Sequence, residues 1–308
     1  MLGRGVATAL GERDPTSLVA PEVVAVTREA DLFVLNLECC ISERGRPWPA
    51  PDKPFFFRAP PRATELLVHL GARCVTLANN HALDFDREAL LDTFHHLAAS
   101  GIAWVGAGPD LEGARAPVVL DAGGVRVGIV ALSDHPEDFA ASRDRPGIAW
   151  ADLRDGVPDW VGNAVETLDA DVVVVSPHWG PNMRDRPLRY VREAAAELLG
   201  AGATVVAGHS AHVPQGVEGT VLYDLGDFLD DYRVDPRLRN DLGLLFTVEI
   251  EQGQPRRLEA IPLKLEYCFT RLADGEDAAW IRRRFRELCT ELGTEASERD
   301  GRVVIDWA

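Results

Sequence analysis

The sequence predicts an α/β fold built from two packed β-sheets flanked by helices, and three observations lead there. Apolar, β-branched runs alternate with segments of helical periodicity. Two longer segments, 116–134 and 242–267, have the pattern of hairpins rather than of strand–helix–strand units. No repeat, low-complexity tract or linker divides the chain, so residues 1–308 are expected to form a single domain.

The elements follow in order. The run "DLFVLNLE" (31–38) is a buried strand, and "CVTL" (74–77) ends a second. "REALLDTFHHLAAS" (87–100) repeats its apolar residues at helical spacing, and "GIAWVGAG" (101–108) is a short strand. The 116–134 hairpin turns at Asp121–Gly124. "ADVVVVSPHWG" (170–180) is the clearest buried strand, and "RYVREAAAELLGAG" (189–202) is a helix ended by glycine. "ATVVAGHSAH" (203–212) and "GTVLYDLGDF" (219–228) are expected as strands. The helix 277–293 places Trp280, Ile281, Phe285, Leu288 and Leu292 on one face. The segment 42–63, rich in Pro and aromatics, is long for a connector, and loops of that length are often functional.

A net charge of −17 and a pI near 4.9 oppose the phosphate backbone of nucleic acid and an anionic membrane surface. No apolar run reaches 18 residues, so no membrane span is expected. The first fifteen residues lack a signal peptide's apolar region and cleavage site, which makes the cytoplasm the default. Cys39, Cys40, Cys74, Cys268 and Cys289 form no C-x-x-C pair and are read as buried, reduced thiols.

The residues with chemical potential sit just past the apolar cores of strands: Asn36 and Glu38 after "FVL", Asn80 and His81 after "CVTL", His178 after "VVVVSP", and His209 and His212 after "TVVAG". Loops converge at strand C-termini of α/β sheets, and ligands bind there. Asn, Glu and His delivered to one rim by four strands are the donor set of a divalent-metal site, with imidazole suiting Zn, Fe or Mn and oxygen donors suiting Mn, Mg or Fe. Each residue alone has a plainer reading. Asn80 as a turn or cap, His178 as a hydrogen-bonded structural histidine and Glu38 as a solvated strand end are all ordinary. Requiring all of those coincidences together is much less ordinary.

Other candidates are weaker. His95 and His96 lie within a helix and are structural, and Asp134 in "SDHPEDF" (133–139) serves equally as a turn cap. Arg58 in "FFFRAPP" is either an anion clamp over the site or a tie within its own loop. "GAGPDLEG" lacks the Lys and Ser/Thr of a phosphate-binding P-loop.

With these residues in hand, the chain resembles the CapA family, the poly-γ-glutamate capsule-biosynthesis type within the calcineurin-like metallophosphoesterase superfamily. "NLE", "LANNHALDF", "GIAWVGAG", "SPHWGPN", "GHSAHVPQGVE" and "VLYDLGDFLDDY" occur in family order, and the resemblance spans nearly the whole chain. It implies a four-layer α/β/β/α sandwich with two divalent cations (Mn, Fe, Zn or Mg) at the strand ends. Glu38 takes the place of the bridging acid with Asn36 close by. Asn80, His178, His209 and His212 take the places of further ligands. His81 takes that of the general acid, with Asp84 or Asp227 as its carboxylate partner. Trp179 and Asn182, in the "HWG" loop, join Arg58 as expected substrate-binding residues. The sequence departs from the family where H-x-H becomes His209-Ser210-Ala211-His212. Family members also carry a strand ending in Gly-Asp ahead of "MLGRG", so the first strand and its Asp are expected to be missing here.

The leading expectation is a metal-dependent hydrolase that uses metal-activated water on a phosphoester or an amide or peptide-like substrate, whether small molecule, peptide or polymer. The alternatives are a metal-dependent peptide-modifying enzyme, such as an epimerase at a carboxy-terminal residue, and a non-catalytic accessory of capsule-polymer assembly.

Overall fold

The structure, a computed structural model, describes residues 1–50 and 53–307. Of the long connector expected over 42–63, Pro51 and Asp52 lie outside the described residues.

A six-stranded sheet forms the centre, in the order Val217–Glu218, Val221–Leu222, Val205–Ala207, Val172–His178, Val125–Ser133, Val118–Ala122. The middle strands run parallel, and Val118–Ala122 joins Val125–Ser133 as the expected antiparallel hairpin. The VVVV run explains how both faces are covered. Val172 and Val174 pack with Cys74, Val105 and Ile129, while Val173 and Val175 pack against Val161, Val165, Ala194 and Leu198 of the outer helices Asp159–Glu166 and Arg189–Gly200.

Two further sheets face the central one. The parallel sheet of Phe33–Asn36, Ala72–Thr76 and Ala103–Val105 meets it through Cys74 and Val105. An antiparallel sheet built on Leu242–Glu251 and Gln254–Glu266 meets it through Leu244 and Leu258, which pack with Val205 and Val217. The helices Ala63–His69 and Asp86–Ala99 bury Leu66, Leu67, Leu90 and Leu97 in the same core as Val75 and Leu77. The chain is therefore an α/β protein with helices outside and sheets inside. Phe33–Asn36 lies at the edge of its sheet.

Two expected strands are much shorter than the sequence implied. Only Val205–Ala207 and Val221–Leu222 are extended and paired. The reason lies at Gly208, where a Cβ would stand 2.2 Å from the Tyr223 carbonyl oxygen and 2.5 Å from the Trp179 indole nitrogen. Regular strand pairing stops at this close approach, with a single bridge at His209 beyond it before the chain turns. The helices Arg4–Glu12 and Pro21–Glu29, which the periodicity argument passed over, pack Val6, Leu10 and Val23 into the core. All five cysteines are free and buried. No helix among the described residues is long and apolar enough to cross a membrane.

Candidate metal centre

The parallel strands Phe33–Asn36 and Ala72–Thr76 end side by side, and an amide clasp joins the loops beyond them. Asn79 is fully buried; its Nδ2 donates to Asn36 Oδ1 and to the Leu37 carbonyl, both at 3.0 Å. Its Oδ1 accepts from the His81 backbone N–H at 3.1 Å. Asn36 in turn donates to Glu38 Oε2 at 3.3 Å. Asn79 is thus the structural amide of the Asn79–Asn80 pair, and it leaves the Asn80 Oδ1 buried with no hydrogen-bond partner. Asn36, expected among the ligands, spends its oxygen on Thr76 and Asn79 and acts here as a support for Glu38.

His81 and Glu38 face each other, with Glu38 Oε1 lying 3.9 Å from His81 Nε2 and 4.0 Å from His178 Nε2. Asp84 Oδ2 stands 2.6 Å from His81 Nδ1 and also accepts the Phe57 backbone N–H. The other oxygen of Asp84 meets Lys53 Nζ at 3.0 Å, and Lys53 also donates to the Asn80 carbonyl. The alternative carboxylate, Asp227, is not near the His81 Nδ1; it accepts from His212 Nδ1 at 2.9 Å. That arrangement leaves the His81 Nε2 directed at Glu38.

His178 ends the strand Val172–His178 and forms an isolated parallel bridge with His209, held by His209 N–H to the Pro177 carbonyl and Trp179 N–H to the His209 carbonyl, each 3.0 Å. Its ring is buried with neither nitrogen hydrogen-bonded. Burial, then the neighbouring His135, holds it well below the usual histidine pKa, so it is neutral. His209 is likewise held down, to about 4, by burial, against the pull of Asp227. His212 goes the other way. Burial opposes its charge, but Asp227 and Glu38 together raise it to about 10. The turn that carries it is strained: Ser210 has φ of 122° and His212 a φ of 61°, both rare for side-chain-bearing residues. Ser210 Oγ to the Gly180 carbonyl and Ala211 N–H to Asp224 hold that turn in place.

The donor types fit a divalent cation. Glu38 Oε1, Asn80 Oδ1, both His178 nitrogens, His212 Nε2 and Asp227 Oδ2 are all buried without hydrogen-bond partners, a density of orphaned polar atoms that native interiors avoid unless something else binds them. Carboxylate-backed imidazoles such as His81–Asp84 and His212–Asp227 are the usual support of metal-binding histidines. Among the described residues, however, no three His, Cys, Asp or Glu side chains are grouped closely enough to hold an ion by themselves.

Three expected substrate-binding residues are placed elsewhere. Arg58 donates to the Arg44 carbonyl at 2.9 Å and stacks over Phe85, contacts that tie it to its own loop. Trp179 is buried in the core, its indole N–H donating to the Tyr223 carbonyl at 2.9 Å, because Gly208 leaves room for the ring there. Asn182 is exposed on the following loop, and no side-chain bond ties it to the histidines. Asn79 and Lys53 were not among the expected site residues, and Asp134 of "SDHPEDF" was weighed only as a turn cap. His135 packs 5.2 Å from His178 while Asp134 accepts from Gly180 N–H and Tyr190 O–H. The strand-end motif "SDHPEDF" was the signal for that pair, whereas a lysine in a Pro-rich loop gave none.

The family model described as bacterial capsule synthesis protein PGA_cap matches residues 1–232. A probable polyglutamine synthesis accessory protein of Mycobacterium tuberculosis is 33% identical over 289 residues, covering 87% of this chain and 75% of the relative. The PGA biosynthesis protein CapA of Bacillus subtilis is 26% identical over 312 residues, covering 99% of this chain and 80% of the relative. Among solved structures, a 5'-nucleotidase from Candida albicans aligns with 77% of this chain and 47% of its own, at 11% identity and a TM-score of 0.40.

Proposed function

The chain belongs to the PGA_cap family of bacterial capsule synthesis proteins, and from that premise we propose that its cluster of buried histidines is a divalent-metal centre that hydrolyses a phosphoester or amide bond. The observation that carries this reading is the set of buried, partnerless donor atoms on Glu38, Asn80, His178 and His212. These residues, with His209, would hold the cation. When bound, it would lower the pKa of a water and polarise the oxygen of the bond to be broken. The chain's own residues do the rest. Asp84 accepts the Nδ1–H hydrogen bond of His81 without taking the proton, which fixes the ring and turns Nε2 toward Glu38; the doubly protonated ring would deliver its Nε2 proton to the leaving atom and end as a neutral imidazole. Lys53 pairs with the other oxygen of Asp84 and locks the Asn80 backbone. Asn79 and Asn36 hold Glu38 in place without touching substrate.

A second reading has its own support. The donors are not closed into a shell of three, and the M. tuberculosis relative is named an accessory protein, so a polymer-binding role without turnover is the competing proposal. One experiment separates them. Purified protein is loaded with Mn, Zn, Fe or Mg, its metal content measured, and a panel of phosphoesters and glutamyl amides assayed. Stoichiometric metal that Glu38→Gln removes, together with metal-dependent hydrolysis, supports the enzyme. A protein that takes up no metal and turns over nothing on the panel supports the accessory.

A further inference from the structure

The four tyrosines use their hydroxyls differently. Tyr190 donates to Asp134 and Tyr223 to Glu218, at 2.8 and 2.6 Å. Tyr267 is 71% exposed at the surface. Tyr232 is half-buried, no hydrogen bond from its O–H to a described residue is formed, and its oxygen is not one of the fully enclosed orphan atoms. The ring stands at the histidine cluster. It meets His212 edge-on, with 5.2 Å between centroids and 86° between planes, and lies 6.1 Å from Phe57, whose own ring is 4.6 Å from that of His81. The backbone beneath it is fixed. Tyr232 N–H donates to Asp230 Oδ1 at 2.9 Å, and Asp231 accepts from Gly5 N–H at 2.9 Å and pairs with Arg4 at 3.3 Å. Burial, then the charge of Glu38 ahead of Asp227 and Asp230, holds the phenol well above its usual pKa, so it remains a neutral O–H donor.

We propose that the Tyr232 O–H is a catalytic hydrogen-bond donor to the substrate oxygen on which negative charge gathers as the phosphoester or amide bond breaks. The proposal rests on the preceding reading of the cluster as a hydrolytic centre and adds a group for an oxygen that His81, serving the leaving atom, does not address. A pre-oriented neutral donor in surroundings shielded from water gains most as that charge develops, and so favours the transition state over the bound substrate. The hydroxyl gives up no proton and is unchanged at the end of the cycle. Neutrality suits the position. A cationic donor beside Glu38 and Asp227 would be drawn onto a carboxylate, as Arg4 is drawn to Asp231. The phenol instead keeps its hydrogen free, because a buried ring wedged between His212 and Phe57 has little freedom to turn away.

The test compares the full chain with Tyr232→Phe, which keeps the ring and removes only the hydroxyl. Both proteins are loaded with Mn or Zn, and four quantities are read: metal per chain, melting temperature, steady-state kinetics on a hydrolysed phosphoester or amide, and calorimetric binding of inorganic phosphate as a tetrahedral oxyanion. Metal content and melting are expected to match the parent, since the hydroxyl has no partner to lose. The kcat should fall roughly 10²–10³-fold, the range for one lost oxyanion donor, with KM close to the parent's. Phosphate affinity should weaken about tenfold, the loss of one hydrogen bond to a charged group. A Tyr232→Phe protein with the parent's kcat and phosphate affinity overturns the proposal, as does one that loses metal in step with activity. A parent that binds metal and phosphate but hydrolyses nothing defeats the hydrolytic reading, and the phosphate affinity of Tyr232→Phe then decides for or against the donor by itself. A parent that takes up no metal and binds no phosphate overturns both.

Discussion

His81 and Asp84 are joined by a 2.6 Å contact between Nδ1 and Oδ2, and both side chains are buried. The carboxylate has three partners and the imidazole one, so the two residues fail differently. His81→Ala leaves Asp84 with Lys53 and the Phe57 N–H. Its expected outcome is full metal content with turnover lowered roughly 10²–10⁴-fold, the range for a lost general acid. Asp84→Asn disturbs all three contacts and is expected to lower the melting temperature as well. Metal analysis, initial rates and thermal melts check both. Loss of metal from His81→Ala means that this imidazole is a ligand.

His178 is buried with two unsatisfied ring nitrogens, each costing on the order of 1–3 kcal/mol in the metal-free protein. Replacing it with Leu, an apolar residue of similar size, removes those orphans. The metal-free His178→Leu protein should therefore melt at or above the parent, while the rise in melting temperature that a cation gives the parent disappears. A metal-free variant that melts well below the parent means the ring has a packing role instead.

Trp179 bonds the Tyr223 carbonyl inside the core. Trp179→Phe leaves that carbonyl without its donor and should cost about 1–3 kcal/mol of stability, with the KM for any substrate unchanged. Denaturant unfolding and steady-state kinetics separate the two effects, and an altered KM with unchanged stability returns Trp179 to the binding site.

Asp230 is held up to about 8 by burial and by Asp227 beside it. The folded chain thus keeps a proton on Asp230 that the unfolded chain gives up near 4, so the folded state binds more protons between those values. Stability contributed by this group is complete below about pH 4 and is lost as pH rises through about 8. Asp230→Asn still accepts from the Tyr232 N–H through its oxygen and cannot ionise. It should flatten the pH dependence of the metal-free melting temperature and raise it by on the order of 2–4 °C near pH 9. A variant that follows the parent's pH profile shows that Asp230 is ionised in the fold.

Much of the fold was legible because single segments announce it. The VVVV run gives a strand covered on both faces, and the periodicity of 87–100 gives a helix observed at Asp86–Ala99. The helices Arg4–Glu12 and Pro21–Glu29 were not legible, since nine-residue helices offer only about two and a half turns of pattern. At the site, polar residues just past apolar runs were enough to nominate Glu38, His81 and His178, and the fold places Glu38 3.9 Å from His81 and 4.0 Å from His178. Partnership was not readable. Asp84 reaches His81 from three residues away, while Asp227 reaches His212 from fifteen residues on. Arg58 illustrates the same limit, since an anion clamp and a loop tie have one composition and differ only in which carbonyl is near.

The turn from His209 to Pro214 joins His212 to Val213 and Pro214, which line a cavity of about 220 Å³, and Ser210 and His212 hold it in conformations that most residues avoid. A strained segment that touches two places is a thermodynamic coupler. If a cation drawn to His212 shifts the turn, the cavity lined by Val213 changes shape. By the reciprocity of linked equilibria, the factor by which the cation alters the affinity of any occupant of that cavity equals the factor by which the occupant alters the affinity for the cation. Ser210→Gly, which relieves the strain and removes the bond to the Gly180 carbonyl, should weaken that coupling in both directions equally.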